Sequence, residues 1–299
     1  MEATDLRPKN RYANAPKNAD YTIDQSWASY SPQEHARWDR LSARQRKILP
    51  GRACETFLSA IDRLALSEGG IPNMEKLSDT LEPLTGWRVV PVADLVPDEV
   101  FFDHLANRRF PAGAFIRPEA EFDYLQEPDI FHDIFGHVPL LADPVFAEFM
   151  EAYGKGGQRA MELGQLPNLA RLYWYTVEFG LIRNGAPSGK DLRIYGAGIL
   201  SSPLESVFSL EDASPNRVML DVQRVMRTNY IIDDFQQTYF VIDSFEELLE
   251  RCYADFADSY SAVKGASEYE AHEIAAADEV LNRGTRAFFK NKQGHSAAA

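Results

Sequence analysis

The chain has 299 residues, enough for one large domain or two small ones. Hydrophobic residues make up 45% and charged residues 25%, a globular balance that argues against a mainly disordered chain. Against 45 Asp and Glu stand 31 Lys and Arg, and the resulting net charge of −14 repels phosphate backbones and anionic lipid, so neither nucleic acid nor a membrane surface is an expected partner. A small zwitterionic ligand stays possible, because one buried Arg can dominate a pocket.

Residues 1–20 are polar, with Pro8 and Pro16, and read as a flexible N-terminal arm. The start MEATDLRPKN has no apolar core, so no secretory signal is expected. Phe57, Ile61 and Leu64 step along one helical face that should stop at Gly69–Gly70. A short strand is predicted over residues 88–92. Asp143–Pro144 offers a cap and a first-turn proline to a helix begun by Val145, Phe149 and Met150. Leu169, Leu172, Tyr173, Val177 and Leu181 keep helical spacing until Asn184–Gly185. A strand over 192–195 follows, then a helix with Val218, Val222 and Val225 after Ser214–Pro215, and a strand over 238–242. Phe245, Leu248, Leu249, Tyr253 and Phe256 form a last amphipathic stretch, and residues 290–299 read as a flexible tail. No linker or repeat interrupts residues 21–289, so the expected fold is mainly α with a small β component, in a single catalytic domain. Cys54 and Cys252 are far apart, which argues against a disulfide scaffold or a Cys-based zinc site and fits a reducing cytoplasm. No apolar run reaches the roughly 20 residues that span a bilayer.

The chemistry concentrates in EPDIFHDIFGHVPLL. His132 and His137 are five apart, about 140° around a regular α-helix, an awkward spacing for two ligands of one ion. Gly136 and Pro139 suggest an answer: the helix ends near Gly136, and His137 turns inward just beyond it. The spacing and the Asp133 that follows the first His both differ from the HExxH zinc proteases. A third ligand is offered by Glu178, an acid inside the apolar stretch RLYWYTVEFGLI, whose burial demands a metal or an Arg. Asp143 is more simply a helix cap. Two imidazoles and one carboxylate on one face of an octahedron leave three positions open and a net charge of +1 on Fe(II), which suits oxygen chemistry. These three residues alone leave a zinc hydrolase and an iron oxygenase both open.

Three segments, EPDIFHDIFGHVPLL, ARLYWYTVEFGL and RIYGAGILSSPLES, closely resemble the signature segments of the pterin-dependent aromatic amino acid hydroxylases, with the bacterial phenylalanine-hydroxylating members nearest. The likeness runs from about Tyr21 to about Phe289. It implies an Fe(II)- and tetrahydropterin-dependent monooxygenase, using tetrahydrobiopterin or a related tetrahydropterin with dioxygen to convert L-phenylalanine to L-tyrosine. The family's iron ligands fall on His132, His137 and Glu178. Its pterin-stacking phenylalanine falls on Phe101, which would otherwise read as plain core. Asp133 takes the place of an acid that reaches the pterin through water; Val96 and Ala170 match pterin-pocket walls, and Tyr173 a tyrosine near iron and pterin. For the amino acid, Arg117 matches the carboxylate clamp, whose planar fork would orient as well as attract. Trp174 and Phe179 match the ring pocket, and Gly198 and Ser201 the loop over the substrate, Ser201 also supporting His132. Leu125 departs from the family pattern, so no substrate contact is carried over there. Ile232, where tyrosine-selective members have Asp, and Trp174, where tryptophan-selective members have Phe, both point to phenylalanine. Too few residues precede Tyr21 for the regulatory domain of the animal relatives, and no heptads follow Phe289, so a monomer is expected, with weak dimerisation left open.

Overall fold

The computed structural model describes residues 10–296 apart from residues 68, 124–126, 184–190 and 253–255. The expected helix ends at Asn184–Gly185, together with Leu125 and Tyr253, lie outside the described residues. Helix α1 (Pro32–Ile48) starts at a capping box in which Ser31 and Glu34 satisfy each other's backbone N–H groups. Helices α2 (Glu55–Arg63) and α3 (Met74–Thr85) follow. Helix α2 stops short of Gly69–Gly70, because Ala65 already turns left-handed at φ 51°. Strands β1 (Arg88–Val92) and β2 (Arg109–Gly113) pair in parallel, joined by α4 (Asp98–Ala106).

Beyond them lie α5 (Pro144–Leu163), capped by Asp143 through the N–H groups of Val145 and Phe146 as expected, and α6 (Leu166–Tyr173). Strands β3 (Leu181–Arg183) and β4 (Leu192–Ile194), helices α7 (Ala197–Ser201) and α8 (Pro203–Glu211), strand β5 (Asn216–Met219), helix α9 (Val222–Met226) and strand β6 (Thr238–Ile242) complete the middle of the chain. Helices α10 (Phe245–Cys252) and α11 (Ala257–Val263), strand β7 (Val280–Asn282) and helix α12 (Ala287–Ser296) close it. The second sheet has the order β4-β3-β6-β5-β7, with β6 parallel to both its neighbours.

Two helical readings are corrected. Leu181 lies in β3, because the helix through Tyr173 changes pitch before it. Val218 lies in β5, fully buried beside Phe240 of β6; the cap of the next helix is Asp221, which accepts from Arg224 N–H. The mainly α architecture with a small β part holds.

The described part of the N-terminal arm is not as loose as its composition suggests. In residues 10–20, Tyr12 is buried and its hydroxyl donates to Gln25 O at 2.8 Å, while Asn10 Nδ2 donates to Ala93 O at 2.5 Å. At the other end Phe288 and Phe289 pack edge-on against Phe208 and anchor α12.

Tight packing between two helices places one wall of the site. A Cβ on Gly154 would lie 2.3 Å from Ala106 N, and one on Gly157 would overlap the Phe102 ring. The absence of side chains at these two positions lets α4 lie against α5, which fixes the helix that carries Phe101.

Candidate metal centre and adjoining cavity

The awkward spacing of His132 and His137 is resolved by a wider turn rather than by a helix end. Phe131–His137 is a π-helix and passes directly into a 3₁₀ turn over Val138–Ala142. Asp129 starts it, accepting from His132 N–H at 3.0 Å. Pro139 has no N–H to continue the ladder, so the pitch must change there. Phe131, Ile134 and Phe135 are buried on the far side, with Phe131 and Phe135 stacked at 4.7 Å and bracketed by Trp38 and Phe57. A π turn swings residue i+5 back toward residue i, so both imidazoles emerge on the face opposite this core. The same device repeats at the third residue. Trp174–Glu178 is a π-helix closed by Phe179 N–H on Trp174 O at 2.9 Å, five residues back. Thr176 Oγ1 donates to Leu172 O at 2.5 Å, a back-bond of the kind that bends helices.

The two turns bring His132 Nε2, His137 Nε2 and the Glu178 carboxylate together. The Nε2 atoms are 3.3 Å apart, His137 Nε2 is 3.1 Å from Glu178 Oε1, and His132 Nε2 is 3.5 Å from Glu178 Oε2. With metal–ligand bonds of about 2.1 Å, neighbouring donors stand about 3.0 Å apart on an octahedron and about 3.4 Å on a tetrahedron. The three residues therefore fit one ion, and the buried Glu178 is compensated by imidazoles rather than by an Arg. Burial pushes the Glu178 carboxyl up, but the facing imidazoles outweigh it and hold it well below the usual carboxylate range. Burial pulls His132 down, and Glu178 more than restores it.

Helix α7 sets the orientation. Ser201 Oγ donates to Ala197 O at 2.9 Å, and its one proton is then used, so at 3.0 Å from His132 Nδ1 it accepts Nδ1–H. That tautomer leaves the Nε2 lone pair for a metal. A Cβ on Gly198 would lie 3.2 Å from Glu178 Oε2, and one on Gly136 2.9 Å from Ala197 O. Gly198 and Ser201 thus belong to a short helix packed against the ligand turns rather than to an irregular loop: close packing requires small residues here, and the helix uses them.

In front of the three ligands opens a cavity of about 250 Å³, sized for a small flat molecule rather than a dinucleotide. Its walls include Phe101, Val96, Tyr173, Asp133, Phe110 and Leu95. Tyr173 stands edge-on to Phe101 at 5.9 Å and stacks on His137 at 6.2 Å. Asp133 accepts from Gly113 N–H at 2.7 Å, and burial pushes its carboxyl up to about 6. A half-buried aromatic face beside a carboxyl and backbone N–H groups suits a flat, hydrogen-bonding heterocycle such as a pterin.

Other expected site residues lie elsewhere. Ala170, a turn before Tyr173, does not line this cavity. Trp174 and Phe179 form a stack with Tyr230 outside the lining of this cavity. Ile232 is 64% exposed, in a loop that Gln236 ties down through the carbonyls of Ile231 and Asp234. Arg117 is buried and its fork is already engaged: Nε and Nη2 donate to Asp129 at 2.9 and 2.8 Å. Burial pushes Asp129 up, and the Arg117 guanidinium overrides it and holds the carboxyl below its usual range. Sequence reasoning missed Asp129, although its place three residues before His132 is a cap spacing. It also missed Gly113, which carried no side-chain signal.

A mainly helical chain that sets two imidazoles and a carboxylate on one side of a metal position, with an aromatic-walled cavity on the other, defines a mononuclear metal oxygenase of the two-histidine, one-carboxylate class. Residues 7–281 match the family model of the biopterin-dependent aromatic amino acid hydroxylases. The chain is 58% identical over 269 residues to the phenylalanine-4-hydroxylase of Caulobacter vibrioides, covering 90% of each chain. It is 54% identical to that of Chromobacterium violaceum, covering 89% of each. The iron- and phenylalanine-bound crystal structure of the Chromobacterium violaceum enzyme superposes with a TM-score of 0.85 at 50% identity, over 91% of this chain and 97% of that one. The cobalt-bound form gives 0.88, also at 50% identity, over 94% and 100%. The chain belongs to the biopterin-dependent aromatic amino acid hydroxylases.

Proposed function

We propose that this chain is an iron(II)- and tetrahydropterin-dependent monooxygenase that converts L-phenylalanine to L-tyrosine with dioxygen. The observation that carries the reading is the convergence of His132 Nε2, His137 Nε2 and the Glu178 carboxylate at the foot of an aromatic cavity. Iron and the reduced pterin together supply the activation of dioxygen; the protein supplies position and exclusion of water.

The residues divide that work. His132, His137 and Glu178 hold the iron, and Ser201 keeps His132 in the ligand tautomer. Phe101 offers its face to the pterin, with Val96, Tyr173 and Asp133 around it. The half-buried rings of Trp174 and Phe179 receive the substrate's phenyl group beside Glu178, and Gly198 leaves room for it. Arg117, oriented by Asp129, keeps Nη1 without a protein partner among the described residues and is the cation for the substrate carboxylate. The site is complete without a residue from a second chain, and a monomer is the assembly proposed. No described helix is long and apolar enough to cross a membrane, and the two buried free thiols Cys54 and Cys252 fit a cytoplasmic setting.

The test is tyrosine formation by protein loaded with Fe(II) under anaerobic conditions, then given tetrahydrobiopterin, dioxygen and phenylalanine, tyrosine or tryptophan in parallel. Phenylalanine is the preferred substrate, the zinc-loaded protein is inactive, and Glu178→Ala folds but neither retains iron nor turns over. Full activity of that variant without bound iron, or iron-loaded wild type that binds phenylalanine and never forms tyrosine, rejects the proposal.

A further inference from the structure

Next to the rings proposed to receive the substrate lies a buried polar cluster, Gln236, Glu205 and Tyr239, to which the proposed chemistry gives no task. Tyr230, Trp174 and Phe179 form a continuous stack, with Trp174 and Tyr230 rings 4.4 Å apart at 17° and Trp174 and Phe179 rings 4.7 Å apart at 35°. The stack ends beside Glu178: a Cβ on Gly198 would meet Phe179 Cζ at 2.9 Å and Glu178 Oε2 at 3.2 Å, so ring and carboxylate border the same space. At the other edge sits Gln236, 1% exposed. Its Oε1 accepts from Trp174 Nε1 at 2.9 Å, and its Nε2 donates to Ile231 O at 2.9 Å and Asp234 O at 3.3 Å. The amide orientation is unambiguous, because an indole N–H only donates and backbone carbonyls only accept. Gln236 is itself anchored: its backbone N–H donates to Glu205 Oε1 at 3.3 Å, an oxygen that also accepts from Tyr239 at 2.7 Å.

We propose that Gln236 is a positioning residue for substrate selection: by holding the indole N–H of Trp174 and the carbonyls of Ile231 and Asp234 at once, it fixes the plane of Trp174 and so sets which aromatic ring the site accepts. This rests on the reading that the substrate ring lies against Trp174 and Phe179. An indole held by ring contacts alone keeps freedom to swing in its own plane; a hydrogen bond at its edge removes that freedom. The pairing is also reciprocal. A phenylalanine at position 174 would strand a buried amide oxygen, so positions 174 and 236 must change together to alter ring preference without loss.

The experiment compares Gln236→Met, Trp174→Phe and the double variant in the iron-loaded enzyme. Gln236→Met raises KM for phenylalanine about five- to tenfold and narrows the kcat/KM preference for phenylalanine over tryptophan by a similar factor, as loss of the buried hydrogen bond to Trp174, one of the three that the amide makes, implies. KM for tetrahydrobiopterin and iron content stay within about twofold, and in the Trp174→Phe background the same substitution changes KM for phenylalanine by less than about twofold, the behaviour of coupled neighbours. An unchanged KM for phenylalanine, an equal loss in both backgrounds, or a parallel rise in KM for the pterin overturns the proposal. Where Gln236→Met does not fold, the wild-type indole resonance of Trp174 decides. Identified by its loss in Trp174→Phe, it is protected from exchange and shifts on adding phenylalanine but not pterin; exchange at the solvent rate, or indifference to phenylalanine, overturns it. Wild-type protein that forms no tyrosine sinks the parent reading, whereas an active wild type with an indifferent Gln236→Met sinks this inference alone.

Discussion

Ser201→Ala tests whether the hydroxyl sets the tautomer of a metal ligand. In the wild type the Ser201 proton goes to Ala197 O at 2.9 Å, so the same oxygen accepts His132 Nδ1–H at 3.0 Å. Without the hydroxyl, the metal-free protein can relax: His132 moves its proton to Nε2, 3.5 Å from Glu178 Oε2, and leaves no buried donor without a partner. The metal-bound protein has no such escape, because the metal needs the Nε2 lone pair and Nδ1–H then faces a methyl group. The cost of one buried unsatisfied donor, about 1–3 kcal/mol, therefore falls on the bound state alone. That is about 5- to 150-fold weaker iron binding, overlapping the range found when outer-shell partners of ligating histidines are removed. The assay is anaerobic titration of Fe(II) against a competing chelator, with thermal melting of the metal-free protein as a control for folding. Affinity within about twofold of wild type, in a variant that melts like wild type, would refute the tautomer argument.

Three further outcomes are expected from the geometry. Phe101→Ala raises KM for tetrahydrobiopterin roughly tenfold, from lost ring area and a stacking share of about 0.5–1.5 kcal/mol, with KM for phenylalanine little changed; steady-state kinetics showing the opposite ranking would count against the stacking role. Burial lifts Glu205 to about 7 from an ordinary 4.5, so the native state holds that proton more tightly than the unfolded chain and stability drains away as pH rises between those values. Glu205→Gln removes this drain and gains on wild type by as much as about 3 kcal/mol between pH 4.5 and pH 8 in urea melts, whereas a gap that does not move with pH contradicts it. Gly136→Ala places a Cβ 2.9 Å from Ala197 O, and prising α7 off the ligand turn costs about 1–3 kcal/mol together with some iron affinity; an unchanged melting temperature would show that α7 gives way freely.

The ligands were legible before the fold was. Glu178 stands out as an acid in an apolar run, and the two His sit in a segment full of core aromatics. What periodicity could not supply was the pitch of the chain between them. A pattern tested against 3.6 residues per turn sees five-residue spacing as a conflict and looks for a break at Gly136, whereas the chain keeps its helical course and widens the turn. The same blindness carried the helix of Leu169–Val177 on to Leu181, which β3 claims through its pairing with β4 and β6. Strands as short as β5 offer too few residues for alternation to register, and Val218 was read with Val222 and Val225 on spacing that crosses an element boundary. Arg117 shows a different limit: its residue type fits a clamp, but that Asp129 takes Nε and Nη2 and leaves Nη1 is a tertiary fact. Gln236 carried no signal, since a lone Gln before a strand has no pattern until the indole of Trp174 is placed beside it.

Small residues dominate RIYGAGILSS because of what α7 must touch. Five residues long, it reaches both ligand-bearing turns: Ala197 lies against Gly136, Gly198 against Glu178, and Ser201 against His132. A Cβ on Gly196 would stand 2.4 Å from Glu178 O and 2.5 Å from Gly180 N, so the backbone itself abuts the second π turn. A π turn is a poor choice on its own, since its hydrogen bonds are strained and it is rarely sustained. It persists where neighbours over-determine it, and α7 wedges against both at once while the Phe131–Phe135 stack holds the first from behind. The ligand geometry is therefore set by packing of backbone and small side chains rather than by the metal. Iron removal should then leave the three side chains close together, and the apo protein should melt as a single cooperative unit with ligand turns intact. An apo form in which the amide protons of residues 131–138 exchange at unprotected rates, while those of α5 stay protected, would show instead that the metal and not α7 holds the turn.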